Sequence, residues 1–182
     1  MEPVDAKNVG KRVQKTKAEQ IVLKCLTWNI ENLKRNHFNL KTLTDRLQPD
    51  LMFFSEPNVF SHDLPQLMRL LSPTYAFSLN ADDKYDEELP LIKNNMYGGT
   101  MIVWRKEYDA HITIHPVTTS SFLPIIFSPP GAPVSIHIAL YLPTSGKENE
   151  FVEQICLLRL TVEELCDKYP NCLIFMRGDG NQ

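Results

Sequence analysis

Apolar runs and leucine repeats predict alternating strands and helices in the first part of the chain. The β-rich runs Ile21–Trp28 and Leu51–Ser55 predict two strands, the second of them short and interior. Between these strands, leucines at helical spacing predict a helix over 39–47, which Pro49 ends. Apolar positions from 64 to 71 predict a second, short helix. This order of strand, helix and strand is typical of an α/β fold.

The middle of the chain, from 97 to 141, has the period-two alternation of β-strands. Prolines and glycines separate the apolar stretches, which is typical of turns between strands. The predicted strands are Gly98–Trp104, His111–His115, Ser121–Phe127 and Pro133–Leu142.

The clearest helix predicted from the sequence is Glu148–Tyr169, which Pro170 ends. Its apolar residues recur every three or four positions, so we expect one face of this helix to be buried against a sheet. The residues expected on that face are Phe151, Ile155, Leu158, Val162 and Leu165.

The last apolar run, which begins at Cys172, predicts a strand with both faces covered. It leads into the polar stretch Gly178-Asp179-Gly180-Asn181. Such a stretch is typical of a turn. It also places a carboxylate and an amide at a strand end, where α/β enzymes commonly have their active sites.

Composition and length indicate one globular domain. The chain has 182 residues, of which 43% are hydrophobic and 23% charged, and its net charge is −3. A slightly acidic chain is a poor candidate for a dedicated DNA-binding module, although a nuclease with local, metal-assisted contacts remains open. No apolar run approaches a membrane span, and the N-terminus lacks the apolar region of a signal peptide. We therefore expect an intracellular protein, nuclear or cytoplasmic, that is neither secreted nor membrane-bound.

The first twenty residues differ from the rest of the chain. They hold five Lys/Arg residues and few large apolar ones, which predicts a mobile basic arm before a domain over 21–182. The arm is either a solvated tail or a segment that touches phosphates or directs localisation. Residues 80–96 are acidic and irregular, which predicts a mobile surface loop. The four cysteines show no CxxC pairing and are expected to be reduced, buried thiols: Cys25, Cys156, Cys166 and Cys172.

Polar residues stand at the exits of four predicted strands. They are Asn29, Glu56, Tyr141, and Asp179 together with Asn181. Each has an ordinary structural explanation, as a turn residue, the start of a loop or a half-buried aromatic. Together, each directly after a strand, they predict one cleft at which these side chains converge.

The stretches around these residues resemble the endonuclease/exonuclease/phosphatase superfamily. The matching stretches are Thr27-Trp28-Asn29-Ile30, Ser55-Glu56-Pro57, Gly98-Gly99-Thr100, Tyr141-Leu142-Pro143 and Gly178-Asp179-Gly180-Asn181. Within the superfamily, the local sequence around Tyr97-Gly98-Gly99 and Tyr141-Leu142-Pro143 is most similar to that of the endonuclease domain of non-LTR retrotransposons. The resemblance implies an α/β, DNase I-like sandwich of two packed mixed sheets with outer helices, truncated at its C-terminal end.

The resemblance also implies roles for the five polar residues in Mg²⁺- or Mn²⁺-dependent hydrolysis of a phosphodiester, with DNA as the substrate. Glu56 is expected to be the main metal ligand, and Asn29 to support the metal site or the phosphate. Tyr141 is expected to orient or stabilise the phosphate. Asp179 is expected to position or deprotonate the attacking water, and Asn181 to donate to a phosphoryl oxygen. Oxygen ligands of this kind suit a hard cation.

Two departures from the family pattern affect this expectation. Gly180 stands where the family motif has a large apolar residue. The family's C-terminal portion, with its metal-binding Asp and its Ser-Asp-His ending, has no counterpart here. We therefore expect exposed sheet edges, an exposed apolar face and no appreciable nuclease activity from this chain. A phosphatase or exonuclease of the same superfamily, and a degenerate non-catalytic binding domain, remain as alternatives.

Overall fold

A computed structural model describes residues 21–60, 63–71, 73–80, 98–142 and 148–179. Within these ranges the chain forms strands and helices in the order β-α-β-α-β-β, then three further strands, a helix and a last strand. The strands are β1 (Cys25–Asn29), β2 (Leu51–Ser55), β3 (Tyr75–Asn80), β4 (Thr100–Arg105), β5 (Ile112–Ile114), β6 (Phe122–Phe127), β7 (Ser135–Tyr141) and β8 (Leu173–Asp179). The helices are α1 (Leu33–Leu47), α2 (Leu64–Leu71) and α3 (Glu148–Lys168), with a short 3₁₀ helix at Lys106–His111.

The strands form two four-stranded mixed sheets. The first has the order β1-β2-β4-β3, and the second has the order β5-β6-β7-β8. Each sheet contains one parallel pair, β1 with β2 and β7 with β8, while the other neighbours are antiparallel. The α/β fold class predicted from the sequence, with two mixed sheets, is therefore confirmed.

Alternation along the central strands creates the layers. On β2, Leu51 and Phe53 belong to the cluster between the two sheets, whereas Met52 and Phe54 belong to the cluster that α1 covers. All five residues of β2 are buried, as predicted for an interior strand. Successive side chains of a strand point to opposite faces, so a strand that is apolar throughout requires cover on both sides.

The helix α3 covers the outer face of the second sheet. Leu158, Thr161 and Leu165 are its buried residues, and they lie at spacings of three and four. The predicted apolar face is therefore right for Leu158 and Leu165 and wrong for Ile155, which is exposed. Because Thr161 lies at the centre of the buried stripe, the buried face of α3 is rotated relative to the face predicted from its apolar residues. Its hydroxyl donates to the Leu157 carbonyl oxygen at 2.9 Å, so burial leaves it paired.

The strand β8 is an edge strand within the described residues. Its exposed side chains correct the expectation that both its faces are covered. Leu173 is 54% exposed and Met176 is 47% exposed. The strand β1 lies at the edge of the other sheet. A cavity of about 370 Å³ lies between the two edges, and Leu23, Cys25, Phe175 and Arg177 are among its lining residues. Within the described residues, β1 and β8 are therefore sheet edges, as expected from the sequence.

Other parts of the fold differ from the elements predicted from the sequence or lie outside the described residues. The helix α1 begins at Leu33 instead of residue 39, because Asn32 caps it by accepting from the Arg35 backbone N–H at 3.0 Å. The strand β3 was not predicted, since its alternation is short and interrupted by small residues. The predicted basic arm over 1–20 lies outside the described residues, as does the predicted acidic loop over 80–96 except for Asn80, which ends β3. None of the helices in the described ranges is long and apolar enough to cross a membrane.

The cysteines are free, but the expectation of buried thiols is wrong. Cys156 and Cys166 are exposed on α3, while Cys25 and Cys172 are partly buried. The helix turns both of its cysteines away from the stripe that packs on the sheet.

Candidate active site at the ends of the parallel strand pairs

The two parallel strand pairs end at the same place in the sandwich. Asn29 is paired with Ser55 at the end of β1 and β2, and Tyr141 is paired with Asp179 at the end of β7 and β8. Glu56 directly follows β2. Parallel strands that end together place their exit residues side by side, although these residues are far apart in sequence. The structure thus brings four of the five predicted site residues to one end of the two sheets.

Asn29 links the two carboxylates of this site. Its Nδ2 donates to Oε1 of Glu56 at 2.9 Å and to Oδ2 of Asp179 at 3.0 Å. Its Oδ1 accepts from the backbone N–H of Glu31 at 3.2 Å, which sets the orientation of the amide. One side chain therefore holds an acid from each sheet. Hydrogen bonds to ionised acceptors are the stronger kind, so this bridge fixes the relative position of both acids.

The backbone at Glu56 is in the left-handed region. Its φ is +52°, which is uncommon for a residue other than Gly, Asn or Asp. Its N–H donates to the Gly99 carbonyl oxygen at 3.1 Å, and this bond ties the turn to the start of β4. Strained non-glycine residues concentrate at functional sites, where the surrounding structure holds them in place. The turn at Glu56 aims its carboxylate at Asn29.

Tyr141 lies beside both carboxylates. Partial burial raises the pKa of Tyr141 to about 12, and the charge of Glu56, a hydrogen bond to Glu56 and the charge of Asp179 contribute in that order. The phenol therefore stays protonated at neutral pH and remains a hydrogen-bond donor. Gly98 packs on its ring, because a Cβ at Gly98 would lie 2.9 Å from Cε1 of Tyr141.

Asn58 is a positioning residue that was not predicted from the sequence. Its Oδ1 accepts from the Gly98 backbone N–H at 2.6 Å, and its Nδ2 donates to the Glu31 carbonyl oxygen at 2.7 Å. It thereby connects the turn after β1, the turn after β2 and the glycine that supports Tyr141. Its own φ of +47° is typical of an Asn in a turn, and in the sequence Asn58 is marked only as a common turn residue.

Gly178 sets the position of Asp179. Its φ is +149°, and a Cβ there would lie 1.9 Å from the carbonyl oxygen of Leu140 on the paired strand. Only glycine permits this close approach of β8 to β7. The Leu142 N–H then donates to the Asp179 carbonyl oxygen at 3.2 Å, which anchors the end of the strand.

The residues at this site fit a hard divalent cation. Two carboxylates share one amide donor, and the raised pKa of Tyr141 shows that both contribute negative charge at the same place. Mg²⁺ is commonly bound through one or two carboxylates, with water and phosphate as the other ligands. In the part of the chain that the structure describes, no three His, Cys, Asp or Glu side chains group as a metal site. Among the described residues, the oxygen donors of this site therefore suit a hard divalent cation.

The two buried histidines of the described residues, His115 and His137, pack elsewhere in the fold. His137 is 2% exposed and stacks between Phe53 and Phe175, with ring centroids 6.0 Å and 5.1 Å away. Burial, and then the charge of Arg177, lower the pKa of His137 to about 4. It precedes Tyr141 by four positions, which is about 13 Å along a strand.

His115 is also buried, at the end of β5. Its Nδ1 accepts from the Val117 N–H at 3.2 Å, and its Nε2 lies 3.7 Å from Oε1 of Glu164 on α3. In the described part of the chain, the His115 side chain therefore contacts the outer helix and its own turn.

The predicted convergence is confirmed for Asn29, Glu56 and Asp179, which share hydrogen bonds. Tyr141 joins them through Glu56. Asn181 lies outside the described residues, so its place in the cleft stays a prediction. The catalytic and metal-binding roles of all five residues likewise stay predictions.

The fold is that of DNase I-like proteins. The chain is similar to the endonuclease domain of TRAS1, a telomere-specific non-LTR retrotransposon, with a TM-score of 0.59 and 10% identity over 88% of this chain and 59% of that one. It is similar to TDP2 of D. rerio complexed with single strand DNA product, with a TM-score of 0.55 and 18% identity over 88% and 61% of the two chains.

A further similar structure is the 3′ phosphatase NExo from Neisseria bound to product DNA hairpin. Its TM-score is 0.53 with 14% identity, over 85% of this chain and 57% of that one. At identities this low, the likeness establishes the fold.

Sequence comparison adds no family. No protein-family model matches the chain, and no curated protein sequence matches it. The chain spans between 41% and 66% of the length of the similar structures.

Proposed function

We propose that this chain carries the central catalytic residues of a metal-dependent phosphodiester hydrolase, most specifically a DNA endonuclease of the retrotransposon type. The observation that carries the proposal is the Asn29 amide, which holds Glu56 and Asp179 together where both parallel strand pairs end. The fold, shared with several DNA-processing enzymes, supports it.

In this proposal the two carboxylates have different tasks. Glu56 holds the metal, while Asp179 accepts hydrogen bonds from the attacking water and takes its proton. Asn29 keeps both acids in place and prevents them from turning outwards into solvent. A bound Mg²⁺ or Mn²⁺ supplies the positive charge that neutralises the phosphoryl oxygens.

Tyr141 is a donor in this proposal. Because its pKa of about 12 keeps the phenol protonated, the O–H that now donates to Glu56 can turn and donate to a phosphoryl oxygen instead. Asn181 is proposed as a second donor to the phosphate.

Metal binding tests the proposal without requiring turnover. Isothermal titration calorimetry with Mg²⁺ and Mn²⁺ is expected to show binding by the wild-type chain and a loss of roughly 10–100-fold or more in Glu56→Gln. The matched control is Glu163→Gln, an exposed carboxylate of α3 that pairs with Arg159 and is expected to leave the affinity unchanged. Equal affinity in wild type and Glu56→Gln contradicts the proposal.

The substrate class needs a separate comparison, because a 3′ phosphatase is among the similar structures. A supercoiled plasmid and an oligonucleotide with a 3′-phosphate are assayed side by side with the same protein, at a protein concentration high enough to detect slow turnover. Preferential nicking of the plasmid is expected. Preferential release of phosphate assigns the phosphatase alternative instead.

A further inference from the structure

Two cysteines lie beside each other where α3 leads into β8. Cys166 is in the last turn of α3 and is exposed, while Cys172 directly precedes β8 and is partly buried. The chain reverses sharply between them. The Tyr169 N–H donates to the Leu165 carbonyl oxygen at 2.9 Å, and the Cys172 N–H donates to the Tyr169 carbonyl oxygen at 3.1 Å. Asn171 takes up the left-handed conformation, with φ +68°, that such a reversal requires.

This reversal places the two cysteine side chains next to each other. Cys166 lies close enough to Cys172 to raise the pKa of the Cys172 thiol as a charged and hydrogen-bonding neighbour. Cys172 also packs against the cluster that includes Leu165, the residue before Cys166 in the helix, so both ends of the turn are held against the same core. Two cysteines can be bridged without backbone movement only where the fold holds them close together, as this reversal does.

The surroundings distinguish the two sulfur atoms. Burial raises the pKa of the Cys172 thiol, and the neighbouring Cys166, through its charge and the hydrogen bond, raises it further. Cys172 therefore keeps its proton, while the exposed Cys166 is the sulfur that an oxidant in solution reaches first.

We propose that Cys166 and Cys172 are a modification site, which forms an intramolecular disulfide on reaction with a low-molecular-weight disulfide such as oxidised glutathione. The Cys166 thiolate attacks one sulfur of glutathione disulfide, which forms a mixed disulfide and releases one glutathione thiolate. Cys172 then loses its proton to solvent and attacks the Cys166 sulfur, which releases the second glutathione. Two protein thiols are oxidised by two electrons, and one glutathione disulfide is reduced to two glutathione thiols.

The disulfide ties the end of α3 to the start of β8. A disulfide acts mainly by constraining the unfolded chain, and because the loop that this one closes is short, the stabilisation is modest. We expect oxidation to raise the melting temperature by roughly 5–10 °C. The edge strand β8 gains a covalent attachment to the helix that covers its sheet.

The experiment uses the reduced 182-residue chain, incubated with oxidised glutathione in a fixed glutathione buffer. Intact mass and peptide mapping after alkylation are expected to show a Cys166–Cys172 link, the loss of two hydrogen atoms and only transient glutathione on the protein. In Cys172→Ser, glutathione is expected to remain on Cys166, and the rise in melting temperature is expected to disappear.

Cys156→Ser is the matched control. Cys156 is exposed on the same helix, but it lies ten positions before Cys166, which is about 15 Å along the axis. This variant is expected to form the disulfide as the wild type does. If the wild-type chain instead keeps glutathione on Cys166, as Cys172→Ser does, or if mapping links Cys156, the proposal is overturned.

Discussion

The Asn29 amide and the Asp179 carboxylate are 150 positions apart in the chain and 3.0 Å apart in space. Asn29 ends β1 in one sheet, and Asp179 ends β8 in the other. Both strands lie at the edges of their sheets, so this hydrogen bond joins the two sheets at the site. A contact that joins two sheets affects both the stability of the fold and the position of the two carboxylates. It can therefore be tested by measuring either of these properties.

Removing the amide is expected to destabilise the fold. In Asn29→Ala, Glu56 and Asp179 lose their shared donor, and hydrogen bonds to charged groups contribute about 1.5–3 kcal/mol. Urea unfolding measures the change. The matched control is Asn39→Ala on the exposed side of α1, which is expected to change the free energy of unfolding by less than about 0.5 kcal/mol. Equal effects at both positions contradict the bridging role of Asn29.

The ionisation of Tyr141 is expected to lower stability at high pH. Its folded pKa is about 12 against 10.0 in the unfolded chain, so the folded state holds the proton more tightly. The corresponding stability is fully present below pH 10 and is lost as the pH rises through 12. Subtracting the tyrosinate absorbance titration of Tyr141→Phe from that of the wild type isolates this group.

A second variant separates the causes of the Tyr141 shift. Glu56→Gln removes the charge and the charged acceptor, so the pKa of Tyr141 is expected to fall. It is expected to stay above 10, because burial is the largest cause and is retained. An unchanged titration in Glu56→Gln contradicts the contact between the two side chains.

Gly178 is expected to tolerate no side chain. In Gly178→Ala the new Cβ meets the Leu140 carbonyl oxygen, and the combined overlap and backbone strain are expected to cost about 3 kcal/mol or more. Gly131→Ala is the control, since Gly131 also has a positive φ, +76°, but a Cβ there meets nothing within 4 Å. Strain alone predicts a loss of about 1–2 kcal/mol for this control. Thermal or urea unfolding decides whether the two variants differ.

The buried stripe of α3 can be checked with one pair of variants. Leu165 is 1% exposed and Ile155 is 36% exposed. We expect Leu165→Ala to lower the free energy of unfolding by about 2–5 kcal/mol, because it leaves a cavity beneath the helix. Ile155→Ala is expected to lower it by less than about 1 kcal/mol. A larger effect at Ile155 contradicts the orientation of the helix.

The 182-residue chain by itself is expected to show no appreciable Mg²⁺-dependent nicking of plasmid DNA. His115 and His137 are both engaged away from the two carboxylates, and loss of one electrostatic partner of the phosphate commonly reduces the rate about 10²–10³-fold. Nicking is assayed with Mg²⁺ and with EDTA, beside Glu56→Ala. Metal-dependent nicking that Glu56→Ala abolishes refutes the expected inactivity and supports the catalytic role of Glu56.

The sequence by itself determined the local elements and the candidate chemistry. Strand β2 was predicted with its observed bounds, since an apolar run flanked by polar residues depends only on neighbouring positions. Asn29, Glu56, Tyr141 and Asp179 could be singled out for the same reason, because each directly follows or ends an apolar strand. Family resemblance then indicated the reaction, and the fold was confirmed.

Only the tertiary structure decided which of these residues touch and which strands stay at an edge. Sheet order and register bring Asn29 to Asp179, and no periodicity along the chain encodes that pairing. Asn58 and Gly178 act through backbone groups of distant segments, so their types alone, a turn residue and a glycine, could not reveal them. The apolar run of β8 predicted an interior strand because hydrophobicity reports a preference for burial, whereas the presence of a neighbouring strand depends on the whole assembly of the sheet.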